Sequence, residues 1–479
     1  MEISRREFIG AAGAVAALTL SPRITRLIAE SMYRVQEGQR PNIVVLLTDD
    51  QDTASLPVMR KLMALPYGDW IQYTHAYTNE ARCCPSRGAM LTGQYSHHHG
   101  VEGNGRGEHL DGTNTIATWL QEAGYHTGFI GKYFIGWPKL SRPPGWNFWS
   151  LRGNTVDEDI ELAENFMLDG AATGKPFFLL LAFTAPHAVA SPGRYAGIDP
   201  YVPPDSPNYN EADVSDKPAV IRRQNFSPET QSAWRKERAN AQRELLMIDD
   251  GVQTILDRLA GMGELDNTIV IFTGDNGFSW GSHRYLYKHL PYEECSGVPL
   301  LIRWPGLGDN RVESRLVSNV DLAPTIAEMA AAIPRRVMDG NSLAPMIENP
   351  QLYWDEAVLL QRSKGEIDER FFGIRVPGWM YAEYANGDRE LYDLTADPYE
   401  LDNVVGMPAF APVVAQMKAR MTSLLADEPR PTPTPTSTAA TPTSTPTPNP
   451  LATGTPTPTA TATRPAGSHG VWLPVVVDE

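Results

Sequence analysis

Two apolar runs in this chain end in side chains suited to a hard cation. Residues 42–47 (NIVVLL) lead into Thr48, Asp49 and Asp50, and residues 269–273 (IVIFT) lead into Gly274, Asp275 and Asn276. Three carboxylates and an amide are oxygen donors. They suit Ca2+, with Mg2+ the lesser fit; zinc would want His or Cys. A lone Asp after a strand usually caps a turn, but two such ends in one domain point to a common centre. Other apolar runs supply cations and imidazoles: Lys132 after Gly131, His187 in TAPH, and His283 and Lys288 in GSHRYLYKHLPYE. Around a divalent cation these groups describe a site for a tetrahedral oxyanion. Near them in type, the stretch RCCPSRGAMLTG places Cys83 and Cys84 before Arg87. A thiol beside an arginine reads as a nucleophile of lowered pKa.

The elements that must position these groups are legible as strand–helix alternation. Residues 42–47, 177–183, 269–273 and 300–302 are short apolar runs of the kind expected for parallel strands buried on both faces. Helical spacing lies between them: residues 241–259 carry Leu245, Ile248, Val252, Ile255 and Leu259 on one face. Residues 115–123 and 322–332 read similarly. The pattern predicts an α/β fold with a large mixed, mostly parallel sheet flanked by helices. Its ligands should gather at the C-terminal strand ends. Near the C-terminus the period changes. Residues 381–384 and 389–394 flank Ala385-Asn386-Gly387-Asp388, a hairpin signal in which both turn residues would take positive φ. A small antiparallel sheet over 350–405, closed by a helix over 412–425, is expected.

Composition bounds the rest. The 479 residues carry a net charge of -16, which excludes nucleic acid or an anionic membrane as the main partner. Three cysteines form no disulfide framework. At the N-terminus Ser4-Arg5-Arg6-Glu7-Phe8 precedes a short Ala/Gly-rich apolar run, which resembles a twin-arginine export signal and is too short for a good membrane span. This implies export to the periplasm, cell surface or medium, with the twin-arginine machinery as a partner and no membrane span in the mature chain. The expected organisation is a signal over 1–35, a catalytic domain over 36–348, a C-terminal α+β subdomain over 349–428, a Pro/Thr-rich linker over 429–466 and a short apolar tail over 467–479.

Cys83-Cys84-Pro85-Ser86-Arg87, with Leu91-Thr92-Gly93 behind it, resembles the motif of the type I sulfatases, members of the alkaline phosphatase superfamily. The first strand with Asp49-Asp50, the block around Met247–Gly251 and Thr273–Gly277, and Leu391-Tyr-Asp-Leu394 with Asp397-Pro398 extend the resemblance over about 40–405. Within the family the pattern is most similar to N-acetylglucosamine-6-sulfatases, which share the paired Cys-Cys and Gly-Lys-Tyr.

The resemblance implies that a separate formylglycine-generating enzyme oxidises Cys83 to Cα-formylglycine, while Cys84 holds the variable position. It implies that Asp49, Asp50, Asp275 and Asn276, with an oxygen of the modified Cys83, bind Ca2+. It further implies that Arg87, Lys132, His187 and Lys288 hold the modified side chain or the sulfate. A hydrated aldehyde offers one hydroxyl to attack sulfur and a second whose deprotonation expels sulfate. Many members carry Gly-Lys-x-His; here the run is Gly131-Lys132-Tyr133-Phe134, so the base falls to His187, His283 or one of His97–His99. The implied substrate is a sulfated sugar or polysaccharide. Aryl sulfates, phosphonate monoesters and phosphodiesters are the alternatives on the same scaffold, and non-catalytic binding of sulfated polysaccharide is the alternative of another class. Conversion of Cys83 would leave Cys84 and Cys295 as an even pair of thiols that export could join.

Overall fold

A computed structural model describes residues 40–426, apart from 139–140, 152–154, 188–192 and 308. The expected signal, linker and tail lie outside the described residues. An eight-stranded sheet forms from β1 (Asn42–Thr48), β2 (Trp70–Tyr73), β3 (His126–Gly131), β4 (Phe148–Leu151), β5 (Phe177–Ala182), β6 (Thr268–Gly274), β7 (Leu300–Arg303) and β8 (Arg311–Glu313). Its order is β8-β2-β7-β6-β1-β5-β3-β4. All neighbours are parallel except at β7, which runs antiparallel to both β6 and β2. The sequence reading had residues 300–302 as another parallel strand. The chain returns from β6 to β7 through a loop without a crossover helix on the sheet, and such a return runs antiparallel.

Both faces of the central strands are buried. Ile43, Val45 and Leu47 of β1 enter one apolar cluster with helices α1 (Cys83–Thr92), α2 (Ile116–Glu122) and α5 (Leu322–Met329). Val44 and Leu46 enter the opposite cluster with α3 (Val156–Ala172) and α4 (Pro228–Gly261). This explains the unbroken apolar runs: neither face meets water.

Helix α4 is 34 residues long. Only its second half, from Ala241 onward, carries the buried stripe seen in the sequence. The first half is mostly polar, and it starts where Ser227 accepts a hydrogen bond from the Thr230 amide ahead of Pro228.

A separate four-stranded antiparallel sheet follows: β9 (Val358–Arg362), β10 (Phe371–Val376), β11 (Trp379–Tyr384) and β12 (Arg389–Asp393). Helix α6 (Ala411–Leu425) packs Met417, Met421 and Leu424 with Ile374, Tyr381 and Leu391. This sheet lies within the same compact unit as the larger one. In the β11–β12 hairpin Gly387 takes φ +95, and Asn386 is not among the positive-φ residues. Tyr384 N–H bonds Asp388 C=O, and Gly387 N–H bonds Tyr384 C=O. The loop is therefore a tight turn closed by one left-handed glycine, not the two-residue turn that Asn-Gly suggested.

Candidate active site

Four strand ends lie side by side. Thr48 pairs with Gly274, Leu47 with Ala182, and Ala182 with Gly131. Each chain therefore delivers its next residues to one place: Asp49 and Asp50 from β1, Asp275 and Asn276 from β6, His187 beyond β5 and Lys132 after β3. Backbone bonds lock the junctions. Asp275 N–H donates to Thr48 C=O at 3.0 Å, Lys132 N–H to Ala182 C=O at 2.8 Å, and Asp49 N–H to Ala185 C=O at 3.2 Å. The close approach at β3 requires glycine. Gly131 has φ +104, and a Cβ there would meet the Ala182 carbonyl oxygen at 2.0 Å.

Cys83 opens helix α1, with Arg82 in extended backbone before it and Gly93 (φ +69) closing it. A spacing of four residues puts Cys83 and Arg87 on one helix face. The Cys83 Sγ lies 2.9 Å from Lys288 Nζ, 3.6 Å from Lys132 Nζ and 3.4 Å from Asp49 Oδ1. Arg87 donates from Nε to Asp275 at 2.9 Å and from Nη2 to Asp49 at 3.1 Å. It also bonds the Lys132 carbonyl. Lys132 pairs with Asp49, and Lys288 donates to Asp50 at 2.5 Å. Asn276 Nδ2 donates to Asp50 at 2.6 Å, while its buried Oδ1 has no partner among the described residues. His187 Nε2 stands 3.6 Å from Asp50, with its side chain 34% exposed at the mouth of the site.

The electrostatics follow from three buried carboxylates in contact with three cations. Burial alone would raise the Asp49 carboxyl, but Lys132, with His187, Arg87 and Lys288, holds it well below its ordinary range. Asp275 is raised, by burial and then by the charge of Asp49. Burial works against Lys132 and Lys288, yet Asp49 and Asp50 respectively drive both upward, so both ammonium groups stay charged. Burial, then Asp49, pushes the Cys83 thiol far up despite the two lysines. Burial therefore opposes the reactive thiolate that a neighbouring arginine suggested.

The other candidate histidines stand elsewhere. His283 is buried with Nδ1 2.6 Å from Glu211, Nε2 3.2 Å from Asn208, and its ring stacked on Tyr292 at 4.3 Å. It forms a separate cluster with Glu294 and Glu400. His99 has both ring nitrogens engaged, by the Pro85 carbonyl and the Val101 amide, each at 3.1 Å. Burial pushes it down to about 3. It packs under α1 where Gly88 leaves room: a Cβ there would meet the ring at 2.5 Å. His97 bonds Gln361 and His98 bonds Asp339. Phe134, in the place of the absent histidine, is buried against Tyr133 at 4.6 Å between ring centroids.

One positioning residue escaped the sequence reading. Asn319 donates to the Ser86 carbonyl and hydroxyl and to Thr78, and accepts from the Asn79 amide. It fixes α1 from the far side of the chain, and nothing in the run SNVDL advertises that. Cys84 and Cys295 are both free thiols and lie in separate apolar clusters, so the bond left open for them is not formed.

Residues 41–332 match the family model described as sulfatase, and residues 281–427 match that of the N-sulphoglucosamine sulphohydrolase C-terminal region. The chain is 32% identical over 381 residues to human N-acetylglucosamine-6-sulfatase, covering 67% of each protein. It is 31% identical over 349 residues to an extracellular sulfatase SULF-1 homolog of Drosophila melanogaster, covering 64% of this chain and spanning 31% of that longer protein. Two solved structures share the fold at TM-score 0.69 and 22% identity. One is a protein in complex with its substrate D-glucosamine-2-N,6-O-disulfate, with 82% of this chain and 99% of that one aligned. The other is a phosphonate monoester hydrolase of Agrobacterium radiobacter, with 81% and 95% aligned. No helix among the described residues is long and apolar enough to cross a membrane.

Proposed function

The chain belongs to the sulfatase family of sulfuric ester hydrolases, and we propose that it removes sulfate from sugars, using Cys83 converted to formylglycine beside a calcium ion. The observation that carries this reading is the placement of Cys83. Its side chain ends between two charged lysines and against a cluster of buried oxygen donors. An oxygen nucleophile at the same point would face the Lys132 and Lys288 ammonium groups.

The donors suit calcium. One donor atom each of Asp49, Asp50, Cys83 and His187 lies within 4.8 Å of the others, and the buried Asn276 Oδ1 lacks a partner among the described residues. Asp49, Asp50, Asp275 and Asn276 would hold the ion, which would offset the carboxylate charge and polarise an oxygen. A hydrated formylglycine would supply two hydroxyls on one carbon, one to attack sulfur and one to release sulfate.

The protein's own groups do the rest. Lys132 and Lys288 approach the nucleophile position from 3.6 and 2.9 Å and place fixed positive charge where sulfuryl oxygens gather. Arg87 aligns Asp49 with Asp275. His187, partly open to solvent, is the imidazole positioned to hand a proton to the departing sugar oxygen. A sulfated sugar is favoured because the human relative is named for N-acetylglucosamine 6-sulfate. Maturation would require the formylglycine-generating enzyme, and the twin-arginine machinery if residues 1–35 direct export.

A second reading, phosphonate ester hydrolysis, is favoured by the fold shared with the Agrobacterium enzyme. Matched sulfate and phosphonate esters decide between them. The proposal expects release of inorganic sulfate from glucosamine 6-sulfate, with the phosphonate turned over more slowly. Faster turnover of the phosphonate would overturn it.

A further inference from the structure

The segment between Asn276 and Lys288 carries an aromatic cluster that sulfate hydrolysis leaves unused. A small hairpin pairs Ser279–Trp280 with Leu286–Tyr287. On it Phe278 and Trp280 lie 4.5 Å apart between ring centroids. Trp234, from the polar first half of α4, completes the group at 5.3 Å from Tyr287, 5.8 Å from Phe278 and 6.1 Å from Trp280. Phe278 is buried, Trp280 and Trp234 are partly open, and Tyr287 is 45% exposed.

Two connections tie this wall to the reacting groups. Tyr287 immediately precedes Lys288, so the hairpin turns the lysine inward onto Cys83 and leaves the tyrosine outside. Trp280 Nε1 donates at 2.8 Å to Asp52, two residues after Asp50. The backbone here is strained to achieve this: His283, Arg284, Tyr287 and His289 all have φ between 53° and 92°. Non-glycine residues hold such angles only where the surroundings enforce them, as at binding sites. Arg238 stands one helical turn beyond Trp234, and its charge acts on Asp52. Its buried Nε has no partner among the described residues.

We propose that the mutually tilted rings of Trp234, Trp280 and Tyr287 form an aromatic wall against which the pyranose ring of the substrate packs, with Arg238 at its inner end taking a polar substituent of that ring. A sugar presents an apolar C–H face that packs on aromatic rings, and a few polar groups then set its orientation. The wall begins where the sulfate site ends, which is where the ring bearing a sulfate ester must be. This rests on the proposed sugar sulfatase activity and gives that activity its specificity determinant.

The test compares Tyr287→Ala, Trp234→Ala and the conservative Tyr287→Phe with the unaltered protein. Glucosamine 6-sulfate is the substrate, and inorganic sulfate is the inhibitor that reads the sulfuryl site alone. Each alanine variant should raise KM about tenfold. It should change kcat by less than about threefold and leave the Ki of inorganic sulfate unaltered. Tyr287→Phe should keep the original KM. Unchanged KM in both alanine variants overturns the wall. So does a parallel rise of KM and Ki, which would mark the cluster as mere packing for the Lys288 loop. Unaltered protein that hydrolyses an aryl sulfate but no sulfated sugar overturns the substrate reading along with the wall.

Discussion

Replacing Arg87 with methionine probes how the site tolerates three buried carboxylates. The guanidinium is 3% exposed and bonds Asp275 at 2.9 Å and Asp49 at 3.1 Å. Methionine fills similar space without charge, so two buried carboxylates lose a shared partner. Breaking a buried pair from one side costs about 3–5 kcal/mol. A domain of this size has an unfolding entropy of about 0.8 kcal/mol per kelvin, so the melting temperature should fall by roughly 4–6 °C. The measurement is thermal unfolding with calcium chelated, because bound ion would mask part of the deficit by mass action. The pH dependence has a definite sign. Asp275 is raised in the folded state from an ordinary value of 3.8, so its burial penalty is present above the folded value. That penalty is lost as pH falls and the acid becomes neutral in both states. The difference between Arg87→Met and the unaltered protein should therefore shrink from pH 7 toward pH 4. A loss below about 1 °C, or a deficit that does not change with pH, would refute the reasoning.

Chelation of calcium should abolish sulfate release, and Asn276→Leu should weaken calcium binding by at least about tenfold, read by the calcium needed to restore activity. His187→Ala should lower kcat about 10²–10⁴-fold on sugar sulfates, and much less on aryl sulfates whose leaving group needs no proton; equal losses on both would contradict a proton-donor role. His283→Gln should act on stability, leaving kcat within about threefold and costing about 1.5–3 kcal/mol for the lost charged hydrogen bond. Burial lowers His283, but its bond to Glu211 with nearby Glu294 and Glu400 raises it above 6.5. Its contribution is thus complete below pH 6.5 and lost as pH rises through the folded value. The denaturant midpoint of this variant should differ most at pH 6 and least at pH 9.

The proposed metal ligands were legible because a strand buried on both faces leaves an apolar run, and the carboxylates that close it stand out against it. Asp49-Asp50 and Asp275-Asn276 therefore marked both strand ends, and register between Thr48 and Gly274 brings them together. The histidines were not separable in this way. His187 and His283 both follow strand-end segments, yet only tertiary packing puts one beside Asp50 and the other beside Glu211. Strand direction at Leu300–Arg303 depended on the path of the preceding loop, which apolar content does not encode. The first half of α4 buries little, so it carried no periodic signal, although Trp234 and Arg238 sit there. Asn319 shows the same limit for positioning groups: its four bonds to Thr78, Asn79 and Ser86 span more than two hundred residues of chain.

The most direct test of the central claim is mass spectrometry of the tryptic peptide containing Cys83, taken from protein that releases sulfate from glucosamine 6-sulfate. The account predicts an aldehyde or its hydrate in place of the Cys83 thiol, with Cys84 intact. Active protein whose Cys83 is entirely unmodified would contradict it.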